Sequence, residues 1–338
     1  MLVRSKIEQD AMVCAPRDVA LGKHERYEQL IKAAQKHGPI TVAVVHPCDG
    51  ASMSGALAAS RLRLIKPILV GPVERLRSVA EHVRLQIDGF ELVNSAHGHD
   101  SAAQAVALVA AGSADALMKG SLHTDELMGA VVSSHGGIRT ERRISHCFVM
   151  DVPGYPEPLI ITDAAINIAP DLDAKVDIVQ NAIDLAHAIG VHEVRVAILS
   201  ALETVTVKVP STIEAAALCK MAERGQIRGA LVDGPLALDN AISPQAAIIK
   251  KLASLVAGRA NVLVVPDLEA GNMLAKSLSF LAKADAAGIV LGARVPIILT
   301  SRADSLTSRL ASCAVAVMIV AARRKAASGL LGCGRQTG

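Results

Sequence analysis

Short apolar runs alternate with segments of helical periodicity along most of the chain. Runs such as Ile40–Val45 and Arg195–Leu199 are nearly continuous in apolar residues, which is typical of strands covered on both faces of a parallel sheet. Between them, for example in residues 174–189, apolar residues recur every three or four positions, which predicts helices packed on one side. The alternation predicts an α/β protein with doubly wound, mainly parallel sheets.

The pattern assigns most of the chain to regular elements. The predicted strands are residues 40–45, 67–70, 91–94, 114–118, 145–150, 159–162, 195–199, 229–232, 261–265, 289–291 and 295–299. The predicted helices are residues 52–64, 102–111, 124–133, 174–189, 212–224, 244–256, 273–284 and 306–322. The least regular stretch is VPGYPEP at residues 152–158, which we interpret as a boundary between two lobes.

The final strand pair fixes how the two lobes are expected to be connected. If it returns to the first lobe, residues 1–151 and 287–338 form one domain and residues 152–286 form a second domain inserted into it. A cleft between the lobes would then face the turns that follow Lys119 and Thr300.

Composition narrows the class of protein. The chain has 338 residues, of which 51% are hydrophobic and 20% charged, so it can bury a large core. The excess of basic residues, 35 against 32 acidic, gives a formal charge of only +3, and aromatic residues make up 1%. We therefore expect no nucleic-acid partner, since basic stripes and aromatic stacking platforms are both lacking.

Compartment and membrane association are read from three features. The six cysteines have no C-x-x-C spacing, and the first ten residues lack an apolar signal region, so a reducing cytoplasm is expected. The longest apolar run, residues 310–322, is shorter than the roughly 20 residues that span a bilayer, so we expect no membrane association.

Residues 287–305, AGIVLGARVPIILTSRADS, contain two apolar runs that lead into a polar, charged turn. Thr300, Ser301, Arg302, Asp304 and Ser305 follow the second run, directly before a helical segment. Ligands of open α/β sheets bind outside the carboxyl ends of strands, where helix N-termini also attract anions. The alternative is that Ser305 only caps the helix and Arg302 is solvated.

Residues 118–126, MKGSLHTDE, form a second candidate loop between a strand and a helix. Gly120 permits unusual backbone angles and Ser121 and Thr124 can cap, which leaves N–H groups for phosphate. The loop matches neither a Walker A motif nor a dinucleotide fingerprint. His123 is either a general base or a solvent-facing side chain.

Two further groups of polar residues have competing interpretations. Arg139, Arg142 and Arg143 either bind an anion or pair with Glu141 or Asp151. Several other polar residues follow predicted strands in the second half of the chain: Asp163, Asn167, Asp233, Asp239 and Asp267. These are either helix caps or oxygen ligands of a metal, and their separation leads us to expect no metal site.

Several segments, taken together and in order, resemble the phosphate acetyltransferase and phosphate butyryltransferase family. The resemblance runs from about residue 39 to residue 322. It is carried by KGSLHTDELM, RRISHCFVMDVPGY, ITDAAINIAPDL, VPSTIEAAALCKM, VDGPLALDNAIS, VPDLEAGNMLAKSLSFLA and PIILTSRADS.

The resemblance implies a reaction, a fold and a set of partners. The reaction is acetyl-CoA plus phosphate giving acetyl phosphate plus CoA, with thiolate attack in a ternary complex and butyryl transfer as the alternative. Coenzyme A is a substrate rather than a bound cofactor, and no metal is required. The fold is the two-domain architecture of isocitrate and isopropylmalate dehydrogenases, with the site in the interlobe cleft and residues 152–286 carrying the contacts of a homodimer.

The resemblance also implies site residues. Arg302 and Arg143 are expected to contact phosphate or the developing charge, and Ser301 the acyl phosphate or thiol. Asp304 is the nearest candidate for a base. The remaining substrate-binding residues would be Lys119, Ser121, His123, Thr124, Asp163 and Asn167.

The chain departs from the acetyltransferase pattern at two positions. Ser308 stands seven residues after Ser301, where well-studied acetyltransferases have an aspartate, and Gly129 stands near an expected arginine. Both differences resemble either the butyryl-type branch or the acetyl-specific variant that is found fused to hydratase domains. They also keep open a catalytically silent CoA-binding protein, and the shared architecture keeps open a metal- and NAD-dependent decarboxylating dehydrogenase.

Overall fold

The computed structural model describes residues 25–301 and 303–333. Its strands are β1 Ile40–Val45, β2 Ile65–Gly71, β3 Glu91–Asn94, β4 Ala116–Lys119, β5 Ser145–Asp151, β6 Leu159–Thr162, β7 Arg195–Leu199, β8 Leu231–Leu236, β9 Val262–Val264, β10 Asp285–Leu291 and β11 Ile297–Ile298. Its helices are α1 Glu25–Gln35, α2 Gly50–Arg61, α3 Val73–His82, α4 Gly98–Ala110, α5 Thr124–Val132, α6 Leu172–Ala188, α7 Pro210–Glu223, α8 Leu238–Ile242, α9 Pro244–Ile249, α10 Leu268–Phe280 and α11 Leu306–Cys333.

These strands form a single sheet that runs through both halves of the chain. The order is β3-β2-β1-β4-β11-β10-β5-β6-β9-β7-β8. The five strands from β3 to β11 are parallel to one another, as are the four from β6 to β8. The predicted α/β class with a mainly parallel sheet is therefore confirmed, with one continuous sheet rather than a separate sheet in each lobe.

The centre of the sheet departs from the parallel arrangement that the continuous apolar runs of the sequence favour. β10 is antiparallel to both of its neighbours, β11 and β5. A turn at Gly292, whose φ is 86°, reverses the chain after β10, because the connection is too short for a parallel crossover. The reversal places β10 and β11 between β4 and β5. The bounds of the two predicted domains stay a prediction.

Hydrophobic clusters cover the two faces of the sheet differently. On one face a single cluster, the shared core, joins residues of both halves, including Val44, Ile160, Val196 and Val264. The other face carries two separate clusters. The first-half core includes Val45, Leu117, Leu127 and Ile297, and the second-half core includes Met150, Ile161, Ala197, Leu263 and Ala275.

The last helix, α11, supports the shared core. It packs against α1, α2 and α6 and against β10 and β11. Within the described residues, Leu306–Ser328 is the one segment long and apolar enough to cross a membrane, and 61% of that window is buried in the fold. The helix extends past the predicted end at residue 322, so the length argument against a span was wrong. Its burial is typical of a core helix.

Candidate active site

A cleft of about 760 Å³ lies on the sheet face that carries the two separate cores. The loop after β4 and the turn that leads into α11 line it with Lys119, Leu122, His123, Thr124, Thr300, Ser301, Asp304, Ser305 and Ser308. The helix α10 lines the opposite wall with Asn272, Ala275, Lys276, Ser279 and Phe280. His146 and Phe148 of β5 border the cleft from the sheet, with Leu299 and Ala286 beside them. The Ser301 and Lys119 turns thus meet at one site, as predicted.

The Ser301 turn is held by two groups beneath it. The Ser301 N–H donates to a carboxylate oxygen of Asp304 at 2.6 Å. The guanidinium of Arg309, on α11, donates to the Thr300 hydroxyl at 3.0 Å and to the Ser301 carbonyl at 2.8 Å. These hydrogen bonds hold the backbone that follows β11. They thereby fix the position of Ser301 at the mouth of the cleft.

Arg309 was not among the predicted site residues. Its side chain is only 4% exposed and lies against Gly55 of α2, where an added Cβ would stand 2.9 Å from the arginine Cδ. Burying a cation costs free energy unless its N–H donors are hydrogen-bonded. We therefore expect Arg309 to stabilise the Ser301 turn, to which it donates. One charged residue in an otherwise apolar helix, SRLASCAVAVMIVAA, was the available signal.

The pKa of the Asp304 carboxyl group is shifted by its surroundings. Burial raises its pKa above the ordinary value of 3.8, while the Ser301 N–H bond and the charges of Arg309 and Lys119 oppose that shift. Lys119 lines the same cleft and is 7% exposed. Two cations, Lys119 and Arg309, thus lie near the Asp304 carboxylate at this end of the cleft, where they can attract an anionic substrate group.

The departure at position 308 has a structural counterpart. Ser305 accepts the Ser308 N–H at 3.1 Å and so caps α11, as the alternative interpretation of this turn stated. Ser308 is 6% exposed and borders the cleft, and its hydroxyl accepts a bond from Ser305 at 3.2 Å. A hydroxyl thus occupies the position at which the resemblance led us to look for an aspartate.

The loop after β4 is tied down by its own backbone. Gly120 and Ser121 donate their N–H groups to the carbonyls of Val45 and His46, both at 2.9 Å. These two amides are therefore engaged within the fold, and the prediction that N–H groups of this loop hold phosphate applies only to the others. A Cβ on Gly120 would stand 2.4 Å from the Val45 carbonyl oxygen, which explains the glycine at this close approach.

Three side chains of the same loop have separate surroundings. The Ser121 hydroxyl donates to the His46 carbonyl at 2.8 Å and borders a neighbouring pocket rather than the main cleft. His123, rather than Thr124, occupies the N-cap position of α5, and its N–H donates to Glu126 at 2.7 Å. Its exposed ring borders both pockets, and Thr124 borders only the main cleft.

Among the described residues, the ion pairs near the arginine cluster before β5 differ from the expected ones. Arg142 forms an ion pair with Asp184 at 2.5 Å, and Asp151 pairs with Arg26 at 2.9 Å. Arg143 Nε donates to the Asn167 amide oxygen at 3.1 Å. Arg143 does not line the cleft, so its assignment to phosphate stays a prediction that this geometry does not support.

Asp163 and Asn167 organise their own loop. The Asp163 carboxylate accepts the N–H groups of Ala165, Ile166 and Asn167 at 2.9 to 3.2 Å. The Asn167 amide donates to Asp163 at 2.6 Å and to the Ile144 carbonyl at 2.9 Å. Neither side chain lines the cleft, although Ala165 between them does.

Two remaining predictions concern Arg302 and metal ligands. Arg302 lies outside the described residues. Among the residues that are described, no group of three or more His, Cys, Asp or Glu side chains could hold a metal ion. Asp267, one of the strand-end carboxylates, caps α10 by accepting the Ala270 N–H at 2.8 Å.

Comparison with known proteins identifies the family. The phosphate acetyl/butaryl transferase family model matches residues 97–317. A phosphate acetyltransferase of Rhizobium meliloti is 64% identical over 301 residues, 89% of this chain and 95% of that protein. A probable phosphate butyryltransferase of Bacillus subtilis is 41% identical over 86% of this chain and 97% of that protein.

A solved structure extends the likeness to the fold. The branched-chain phosphotransacylase of Enterococcus faecalis V583 superposes with a TM-score of 0.73 at 30% identity, covering 83% of this chain and 99% of that one. Together with the sequence relatives, this match confirms the resemblance and the fold that it implied. The chain belongs to the phosphate acetyl/butaryl transferase family.

Proposed function

We propose that this protein is a phosphate acetyltransferase, which interconverts acetyl-CoA plus phosphate with acetyl phosphate plus CoA. The observation that carries the proposal is the 64% identity to the Rhizobium meliloti phosphate acetyltransferase across 95% of that protein's length. The relatives named phosphate butyryltransferase are more distant, at 41%, 37% and 36% identity.

The charges of the cleft suit this chemistry. A free thiol has a pKa of about 8.5, so nearby cations that favour the thiolate assist attack on the acyl carbon. Lys119 supplies such a charge within the cleft, and Arg302 is adjacent in sequence to the Ser301 turn. Ser301 is exposed and lines the cleft, and in this proposal its hydroxyl bonds a phosphate oxygen or the thiol. Coenzyme A is accordingly a substrate, and the proposed reaction needs no permanent cofactor.

Thiol release tests the proposal directly. The purified protein should liberate free CoA from acetyl-CoA and phosphate in the presence of EDTA. Dependence on a divalent metal and NAD would instead favour the dehydrogenase, and tight CoA binding without turnover the silent homologue. Arg302→Ala should lose most of the rate while the thermal unfolding curve is preserved; near-normal turnover would remove Arg302 from the reaction.

Acyl length is measured in the same assay. We expect acetyl-CoA to give a higher kcat/KM than propionyl-CoA and butyryl-CoA, since each extra methylene changes binding in a fitted pocket by about 1 to 3 kcal/mol. A preference for butyryl-CoA would replace acetyl by butyryl transfer and leave the family unchanged.

The assembly belongs to the same proposal, as a cytoplasmic homodimer formed through residues 152–286. Of the twelve exposed large hydrophobic side chains in the described residues, ten lie in this segment: Ile168, Val205, Val207, Ile213, Ile248, Ile249, Leu255, Met273, Phe280 and Leu281. Such concentration of exposed apolar surface is typical of an interaction face. Light scattering that gives a monomer mass would overturn this part.

A further inference from the structure

The imidazole of His146 is buried at the cleft without any hydrogen bond. Its side chain is 0% exposed, and neither Nδ1 nor Nε2 has a partner among the described residues. Buried polar groups in folded proteins are nearly always hydrogen-bonded, because an unpaired one loses its contacts with water without compensation. An apolar side chain at this position would avoid this cost. A histidine here is therefore explained better by a hydrogen bond to a bound molecule than by the folding of the chain.

Its position is built by the surrounding sheet. His146 is the second residue of β5, on the sheet face that carries the two separate cores, and it borders the cleft. The ring of Phe148 meets it edge to face with centroids 4.4 Å apart. Nε2 lies 3.2 Å from the point where a Cβ of Gly288 would stand, so a glycine in β10 leaves room for the ring.

The charge state of the ring limits what it can do. Burial lowers the pKa of His146 to about 4, against a smaller opposing effect of Asp163. The imidazole is therefore neutral near pH 7, with one N–H donor and one acceptor nitrogen. Because the pKa of its protonated form is about 4, this imidazole is a poor base for a thiol of pKa about 8.5, but its N–H can donate a hydrogen bond to a carbonyl oxygen.

The polarity of the cleft distinguishes the two ends of an acyl phosphate. Positive charge and hydroxyl groups lie at the Ser301 turn, as Lys119 and Ser301 illustrate. Next to His146 the lining is apolar, with the Phe148 ring against it and Leu299 beside the same glycine of β10. An acyl group has an apolar body and one acceptor, its carbonyl oxygen. It therefore matches the His146 end, and the phosphate matches the other.

We propose that His146 is a catalytic residue whose ring N–H donates to the acyl carbonyl oxygen of the bound substrate. The inference rests on the proposed acyltransferase function. Because the ring is fully covered and the half-buried Phe148 ring packs against it, this hydrogen bond requires the Phe148 ring to move aside. Catalytic hydrogen bonds often form only in the substrate complex.

The step balances with the groups already named. The thiol sulfur of CoA forms a bond to the acyl carbon, and the carbonyl π pair moves onto oxygen, where the His146 N–H stabilises it. As the carbonyl reforms, the carbon–oxygen bond to phosphate breaks and phosphate leaves with that electron pair. The thiol proton ends on the departing phosphate, so the products are acetyl-CoA and hydrogen phosphate.

Two substitutions and a matched control test the assignment. His146→Phe keeps the ring shape and removes the donor, and we expect kcat to fall by about 100- to 1,000-fold with the KM for acetyl-CoA changed less than about threefold. His146→Gln restores a donor and should recover at least about a tenth of the wild-type kcat. Cys147→Ala, at the neighbouring buried residue on the opposite face of β5, should keep kcat within about threefold.

The outcomes separate a catalytic role from a structural one. Thermal unfolding of His146→Phe should occur at or above the wild-type midpoint, because the unpaired nitrogens are removed. A His146→Phe protein that keeps the wild-type kcat overturns the inference. The inference is also overturned if kcat falls equally in His146→Phe and His146→Gln and the unfolding midpoint falls in both. Wild-type protein without acyl transfer would instead overturn the proposed function, so the two failures are distinguishable.

Discussion

The two faces of the sheet are covered in different ways. One face is sealed by the shared core, which includes α11 and joins residues such as Val44 and Val196 from opposite ends of the sheet. The other face carries two cores with the cleft between them. The face with the shared core thus contributes mainly to stability, and the opposite face carries the cleft for substrate. The strand β5 contributes residues to both faces.

Substitution of two adjacent isoleucines on β6 should change the free energy of unfolding by different amounts, and this is the largest effect that we expect to distinguish the two faces. Ile160 belongs to the shared core and Ile161 to the second-half core, and both are 0% exposed. Ile160→Ala should lower the free energy of unfolding by about 4 kcal/mol, and Ile161→Ala by about 2 to 3 kcal/mol, since a wall next to a cleft relaxes more readily. Urea denaturation measures both.

Steady-state kinetics completes this comparison. Ile161 pairs directly with Phe148, which borders the cleft, whereas Ile160 pairs with Val149 on the other face. The KM for acetyl-CoA should therefore rise in Ile161→Ala and stay unchanged in Ile160→Ala. Equal KM values in the two variants would contradict the division between the faces.

Arg309 tests whether the sealed face also supports the site. Arg309→Met removes both donors beneath the Ser301 turn, and we expect kcat/KM to fall by about 100-fold, because a misplaced reacting group costs about that much. Arg309→Lys retains the charge without the forked geometry and should recover only part of the loss. Activity preserved in Arg309→Met would show that the turn needs no support.

Asp304→Asn should have a smaller effect on rate. The amide oxygen can still accept the Ser301 N–H, so kcat should fall less than about tenfold, whereas a general base contributes about 100-fold or more. A larger fall, with the acid limb of the pH profile removed, would identify Asp304 as the base.

The same variant has an expected pH dependence of stability. Burial raises the folded-state pKa of Asp304, so its favourable contribution is present below the unfolded pKa and lost as pH rises through the folded pKa. Asp304→Asn should therefore be at least as stable as wild type at pH 7, and that advantage should disappear at acid pH. Thermal midpoints across this range measure it.

The smallest effect is expected at the arginine cluster. Arg142 and Asp184 are both more than 40% exposed, and exposed ion pairs contribute about 0 to 1 kcal/mol. Arg142→Ala should leave the KM for phosphate within about twofold of wild type. A large rise in this KM would restore the anion-binding interpretation of residues 139–143.

Most strands were predictable because burial on both faces leaves a continuous apolar run. β1, β3, β6 and β7 have the bounds that the sequence predicted. The helices α1 and α3 were missed. Each buries only two residues, Tyr27 with Ala34 and Leu76 with Ala80, so their polar faces dominate the pattern.

The site was predictable where a polar residue follows a strand. Ser301 and Lys119 were found in this way, since the carboxyl ends of parallel strands meet at one edge. His146 and Arg309 lie inside regular elements, and their significance depends on what surrounds them in three dimensions. The antiparallel β10 was also missed, because a buried antiparallel strand and a buried parallel strand have the same apolar composition.

The insertion of β10 and β11 between β4 and β5 determines when the protein can fold. During synthesis, the strands from β1 to β9 emerge from the ribosome before the pair that joins them. Until then, the edges of β4 and β5 have no partner strands. Unpaired strand edges can associate with other chains. A truncation that ends before Asp285 should accumulate as aggregates or in complexes with chaperones, and the finished sheet forms only after β10 and β11 have been synthesised.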